Sequence, residues 1–303
     1  MGRSSRGQYL IYIGVFIACL LIYIKFQSIQ EGFDTQSAPI KGIILNLQGG
    51  LGNQLFIYAA AISFIDKYKV PVYILPTDKE SNIHSSQDYR YLFNETIPIE
   101  YSDHKMNDTR EVSICNNFYG PWIDIPTDTN KYILMKYHWF QDYPSLKSVI
   151  PRVKNHIISH LASKYNDLSV ETTCAFIHVR RGDYTKQAGG MFTLDMEYYG
   201  AGLKVLNESP LITKYYIISD DIAWCKMQKW ETDRPIEYFD EPDELRALYM
   251  MSQCEGGAVI ANSTFSTWGA FLGPLLNSSS TVVYPSKWLF NGNLSLPDEW
   301  IKI

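Results

Sequence analysis

The chain has 303 residues, of which 46% are hydrophobic, and a net charge of -5 at pH 7, enough for one large core or two units of about 100–150 residues each. Acidic and basic side chains are interspersed and no Lys/Arg block occurs, so the electrostatic footprint of a nucleic-acid binder is missing. Aromatic residues make up 14% of the chain, with 22 Tyr and 7 Trp; such rings fill cores and also stack on the apolar faces of sugars.

From Tyr9 to Ile24 the sequence YLIYIGVFIACLLIYI carries no charge, and Phe26 extends the run past Lys25. Residues 9–26 are therefore predicted to form a membrane anchor, slightly short of the usual span of about 20 residues, with Lys25 snorkelling. Arg3 and Arg6 lie in the preceding tail, residues 1–8, so the excess of positive charge places that tail in the cytosol and the bulk of the chain in the secretory lumen, a single-pass type II arrangement. A cleaved signal peptide is the alternative, but no small-x-small site follows promptly. Sequons at Asn94, Asn107, Asn207, Asn262, Asn277 and Asn293 would be glycosylated where they sit on exposed loops. With Cys19 in the anchor, Cys115, Cys174, Cys225 and Cys254 remain; four thiols in an oxidising compartment allow three pairings, and the absence of a CxxC spacing argues against zinc.

Residues 27–40 are polar, aperiodic and punctuated by Gly and Pro, which predicts a stem linker. GIILNL at 42–47 is predicted as a strand, QGGLG at 48–52 as a glycine turn, Asn53–Tyr68 as a helix and Val70–Leu75 as a second strand. That order is a βαβ unit and implies a parallel sheet. The segment 78–145 is rich in Asn, Asp, Tyr and Pro, and is expected to hold irregular loops and short helices. Strands are predicted at Cys174–Val179, Tyr215–Ser219, Ile236–Phe239, Ala258–Ala261 and Thr281–Tyr284. Helical segments alternate with them, among them PDELRALYMMSQC, where Leu245, Leu248, Tyr249 and Ser252 share one face. The fold class expected is α/β throughout, divided into units 41–172 and 173–303.

Three segments can carry chemistry. Gly50 and Gly52 in the first turn let a phosphate or sugar hydroxyl approach the backbone at a helix start, while Asn53 and Gln54 can cap that helix or reach a ligand. The turn lacks the third glycine of the dinucleotide fingerprint GxGxxG. HVRRGDY, from His178 to Tyr184, follows a predicted buried strand, at the end where open α/β sheets bind ligands. Arg180 and Arg181 there suit a diphosphate, since a guanidinium fork grips phosphate oxygens bidentately. Asp183 can hold an arginine or meet a hydroxyl, and His178 is either a structural histidine or a base. The third segment is ANSTFSTW, residues 261–268, where Asn262, Ser263, Thr264 and Phe265 open a helix whose free amides suit an anion. Ser219-Asp220-Asp221 ends another strand, where carboxylates bind a cation, hold a ribose or cap the next helix.

GGLGNQLF, HVRRGDY and ANSTFSTWGAFL, in that order, resemble the signature blocks of the α1,2-fucosyltransferases, family eleven of the glycosyltransferases, over Gly42–Trp288. The H-x-R core of the second block also resembles the wider set of α1,2-, α1,6- and protein O-fucosyltransferases, in which the arginine matching Arg180 contacts the donor β-phosphate. The resemblance implies a B-type fold of two Rossmann-like domains, with the acceptor on the first and the donor GDP-fucose on the second. It also implies inversion at the anomeric carbon, no obligatory metal or other cofactor, and a galactose-terminated glycan as acceptor, in the Golgi membrane. Arg180, Arg181, Asp183 and His178 are then expected at the catalytic centre, and Gly50, Gly52, Asn53, Gln54, Asn262, Ser263, Thr264 and Phe265 around the donor. Thr267-Trp268-Gly269 stands where two tryptophans are common, which leaves the acceptor open. The rival readings are an inactive membrane-anchored carbohydrate-binding protein and a nucleotide-dependent oxidoreductase on the first βαβ unit.

Overall fold

The computed structural model describes residues 39–75, 89–92, 99–101, 107–113, 122, 124–135, 139–186, 191–274, 279–289 and 294–303. The expected tail, anchor and most of the stem lie outside the described residues, as do Cys19, Cys115 and the sequons at Asn94, Asn277 and Asn293. Among the described residues no helix is long and apolar enough to cross a membrane. Residues 41–125 and 131–303 form one compact unit, which holds both sheets. A second unit comprises residues 1–40 and 126–130, and its described part has no helix or strand.

The first sheet is parallel, in the order β3-β2-β1-β5-β4. Its strands are β1 (Gly42–Asn46), β2 (Val72–Leu75), β3 (Ile99–Tyr101), β4 (Thr109–Val112) and β5 (Tyr132–Met135). β1 is buried at its first four positions, the continuous apolar run expected of a parallel strand covered on both faces. Ile43 pairs with Val72 on one side and Ile133 on the other. The segment expected to be irregular contributes three of these five strands. Each is only three or four residues long, and β4 reads TREV with partly or fully exposed side chains. In β3 and β4, pairing with a neighbour rather than a local apolar run makes the segment a strand, whereas β5 is the short apolar run YILM.

The second sheet is also parallel, in the order β11-β10-β9-β6-β7-β8. It comprises β6 (Ala175–Val179), β7 (Tyr215–Ser219), β8 (Ile236–Phe239), β9 (Gly257–Val259), β10 (Thr281–Tyr284) and β11 (Ile301–Lys302). Read outward from β6, this is a doubly wound order whose direction reverses between β6 and β9. The first sheet reverses between β1 and β5. Ligands of open α/β sheets sit beyond the carboxyl ends of the strands at such switch points.

Seven helices are described: α1 (Leu51–Tyr68), α2 (Tyr143–Leu146), α3 (Ile150–Lys164), α4 (Met196–Asn207), α5 (Ile222–Met227), α6 (Glu244–Gln253) and α7 (Thr264–Leu272). Aspartates start four of them, since Asp142, Asp195, Asp221 and Asp243 accept from the backbone N–H of Ser145, Tyr198, Trp224 and Leu245. α1 is apolar nearly all round and buried along most of its length, as befits a helix covered on every side. It packs on α7 through Phe56, Trp268 and Phe271, with Phe56 and Trp268 edge to face at 5.3 Å and Trp268 and Phe271 at 5.4 Å. At the amino ends of this helix pair a Cβ on Gly52 would lie 2.5 Å from the Phe265 nitrogen, so only glycine permits the approach. The two sheets are thus joined by helices whose starts converge on one place.

Candidate active site

Both switch points open onto one cavity of about 730 Å³, within the usual range of about 300–1,000 Å³ for small-molecule sites. The loop after β1 brings Gly50 to its wall, and the chain after β5 brings Trp139 and Gln141. The loop after β6 brings Arg180 and Asp183, and the turn after β9 brings Asn262 to Phe265.

Arg180 is clamped by two carboxylates. Its Nη2 donates to Asp183 Oδ1 at 2.8 Å and its Nη1 lies 3.1 Å from Asp220 Oδ2. Its guanidinium carbon sits 5.3 Å from the centre of the Tyr184 ring, whose hydroxyl in turn donates to the Asn262 carbonyl at 3.1 Å. The loop can close this way because Gly182 has no Cβ: one would meet Asp220 Oδ2 at 2.6 Å. Two carboxylates use only part of the guanidinium's five N–H donors, and they fix the plane in which the remainder can meet an anion. Beside this loop, at the end of the neighbouring strand β9, the first backbone bond of α7 runs from Thr267 N–H to the Ser263 carbonyl at 3.1 Å. The N–H groups of Thr264, Phe265 and Ser266 thus precede the helical ladder, and they carry the positive end of the helix dipole.

Arg181 points elsewhere. Its Nε donates to Asp221 at 3.1 Å, its guanidinium stacks on Trp224 at 4.1 Å, and it does not line the cavity. Asp221 also caps α5, while Asp220 accepts from the Arg181 backbone N–H at 2.8 Å. The SDD carboxylates are therefore occupied by arginines and a helix start. His178 lines the cavity but is only 4% exposed. Burial, with the Arg180 charge adding to it, pushes its pKa down to about 3, so it is a neutral imidazole at physiological pH. Its Nδ1 is buried without a partner among the described residues, and its ring lies 5.5 Å from that of Phe265.

Among the residues expected around the donor, Gly50, Gly52, Asn53, Asn262, Ser263, Thr264 and Phe265 line the cavity. Asn53 Oδ1 accepts from Gln141 at 2.9 Å and from Thr264 at 3.0 Å, tying the first half to the second at the cleft. Gln54 is fully buried instead; its amide donates to the Gly49 carbonyl at 2.9 Å and accepts from the Tyr89 backbone at 3.0 Å. The Asn262 amide donates to the Phe192 and Trp288 carbonyls, and the Asn207 amide to the Glu231 carbonyl at 3.1 Å, so neither sequon sits on a free loop. Asn107 is exposed. Cys174, Cys225 and Cys254 are buried free thiols.

Sequence reasoning missed Glu244, Trp139 and Trp288 on the wall, and Tyr89 behind it. The Tyr89 hydroxyl donates to Glu244 Oε1. Burial pushes the Glu244 carboxyl above its ordinary value, partly offset by the Tyr89 hydrogen bond and by Arg180. A glutamate in the first turn of a helix is what any helix start favours, so nothing in the local sequence marks it.

Residues 152–288 match the family described as glycosyl transferase family 11. The O-antigen biosynthesis glycosyltransferase WbnK of Escherichia coli is 26% identical, over 85% of this chain and 99% of that protein. The alpha-1,2-colitosyltransferase of Escherichia coli is 22% identical over 86% and 98%. Among solved structures, the fucosyltransferase NodZ from Bradyrhizobium aligns with a TM-score of 0.48 and 12% identity, over 77% of this chain and 94% of that one. The chain resembles glycosyl transferase family 11, and these sequence matches support a glycosyltransferase.

Proposed function

We propose that this chain, which resembles glycosyl transferase family 11 over residues 152–288, transfers L-fucose from GDP-fucose to the 2-hydroxyl of a terminal galactose. The observation that carries the reading is Arg180, clamped between Asp183 and Asp220 at one switch point and lining the same cavity as the start of α7. An acceptor hydroxyl attacks the anomeric carbon, the configuration inverts, and GDP departs as charge grows on its β-phosphate. Arg180 and the amides at Thr264 and Phe265 meet that charge in the cleft, where preorganised donors contribute most. Arg181 supports the same loop from behind by locking onto Asp221 and Trp224. Donor and galactose acceptor come from the motif resemblance, and the α1,2 linkage is also in the name of one Escherichia coli relative.

In this reading the halves 41–172 and 173–303 are the acceptor-side and donor-binding domains of a B-type fold. The segment 9–26 anchors the enzyme in the Golgi membrane with the catalytic unit in the lumen. No metal is required, because the arginine and helix start carry the phosphate charge. The test is incubation of residues 41–303 with GDP-fucose, GDP-mannose and UDP-galactose against β-galactoside acceptors, with linkage mapping of the product. Fucosylation at the 2-hydroxyl is expected. Transfer only from GDP-mannose or UDP-galactose overturns the donor, and fucose on another hydroxyl overturns the linkage alone. A carbohydrate-binding protein would bind galactoside and release no GDP.

A further inference from the structure

The transfer needs a place for the acceptor hydroxyl's proton, and the cavity wall narrows the choice. His178 is a neutral, buried imidazole with its pKa pushed down to about 3, too weak a base near neutrality. Four carboxylates line the cavity: Asp183, Asp220, Glu241 and Glu244. Asp183 and Asp220 are committed to Arg180, and Glu241 lies 3.2 Å from the Arg246 Nε. Glu244 is the carboxylate of the four for which no cation lies within ion-pair distance among the described residues. It receives instead the hydroxyl of Tyr89, a buried residue 155 positions earlier in the chain.

We propose that Glu244 is the catalytic base that takes the acceptor proton and that Tyr89 is its positioning residue; this rests on the glycosyltransferase reading above. The acceptor oxygen bonds to C1 of the fucosyl group as the C1–O bond to the β-phosphate breaks. GDP leaves with the bonding pair, and the hydroxyl proton passes to the Glu244 carboxylate, which returns it to solvent before the next turnover. The arrangement separates two duties in one cavity: Arg180 meets the charge on the leaving group, and Glu244 on the start of α6, a carboxylate with no ion pair among the described residues, meets the nucleophile. Burial raises the Glu244 carboxyl, moving it toward the pH at which a base works best. The charged or titratable groups facing it are Tyr89 with Tyr91 beside it, Arg180 across the cavity, and Asp243 on its own helix. Asp243 is held in turn by Tyr165 at 2.5 Å and Lys164 at 3.7 Å from the α3 side.

Glu244→Gln keeps the shape and the Tyr89 hydrogen bond but abolishes the base. Fucosyl transfer is expected to lose about 10²–10⁴-fold in kcat, with the Kd for GDP, measured by calorimetry, unchanged. Tyr89→Phe removes a hydrogen bond that favours the charged carboxylate, so the acid limb of kcat against pH should move to higher pH; a purely structural role for Tyr89 would leave that limb in place. A Glu244→Gln enzyme within about threefold of wild-type kcat, or an unmoved limb in Tyr89→Phe, overturns the proposal. Should Glu244→Gln fail to bind GDP, the Tyr89→Phe profile decides alone. Wild type that transfers no sugar from any donor in the panel refutes the functional reading, and the base with it, a result that no behaviour of the variants can mimic.

Discussion

Arg180 and Arg181 are adjacent and chemically alike, yet the fold gives them different surroundings. Arg180 faces the cavity between two carboxylates, whereas Arg181 is stacked on Trp224 and bonded to Asp221. Arg180→Lys should therefore lose about 10²–10³-fold in kcat, because a point charge cannot reproduce the fork. Arg181→Lys should lose much less, and steady-state kinetics with GDP-fucose distinguish the two; equal losses would return Arg181 to the reacting centre. His178 makes a different prediction. Its folded pKa is pushed down to about 3 from an ordinary value of 6.5, so below the ordinary value the unfolded chain binds the proton that the folded chain refuses. Stability is full above about pH 6.5 and is lost as pH falls toward 3, at a slope of up to about 1.4 kcal/mol per pH unit from this residue. Urea unfolding at pH 7 and at pH 5 should show a smaller acid loss for His178→Gln than for wild type.

At the scale of elements, the convergence of α1 and α7 decides where the site lies. Gly52 allows backbone contact between the two helix starts, and Asn53 bonds to Gln141 and Thr264 across the same junction. Gly52→Ala should cost about 1–3 kcal/mol, the usual penalty of overpacking, because the obstacle is the Phe265 and Thr264 backbone rather than a movable side chain. At Gly50 an added Cβ would meet nothing within 4 Å, so Gly50→Ala should cost under about 1 kcal/mol, the scale of a changed cap. Denaturant midpoints compare them, and equal costs would show that the junction yields more easily than its distances imply. The glycine turn was legible in the sequence as a place of close approach; that the close approach at Gly52 is to another helix was not, because Thr264 and Phe265 lie more than two hundred residues away. Strands β1, β6 and β7 were legible because each is a buried apolar run. β3 and β4 were not, since the short stretches IEY and TREV become strands only by pairing with β2 and β5.

For the whole molecule, one compact unit covering 41–125 and 131–303 contains both sheets and the cavity. A chain starting at Lys41 is accordingly expected to be soluble and to transfer fucose; aggregation of that chain, or loss of activity, would mean that residues 1–40 contribute to the fold. Addition of a chelator should leave its rate within about twofold, since fixed cationic and amide donors can carry the phosphate charge without a cation. A larger fall would transfer the leaving-group role to a metal ion.

The sequence by itself determined the α/β class and the placement of three motif blocks at the carboxyl ends of strands, and it led to the expectation that Arg180 and the Asn262–Phe265 turn share a site, residues that the structure brings to one cavity. These are local properties: apolar run length, glycine and capping chemistry, and an arginine at a strand's carboxyl end. Tertiary structure alone decided that Arg181 and Gln54 are turned away from the cavity, that Asn207 and Asn262 are tied into the fold, and that Tyr89 reaches Glu244. Those outcomes depend on which partners the sheet order brings together, and a pairing across 155 positions leaves no periodic or compositional trace at either end.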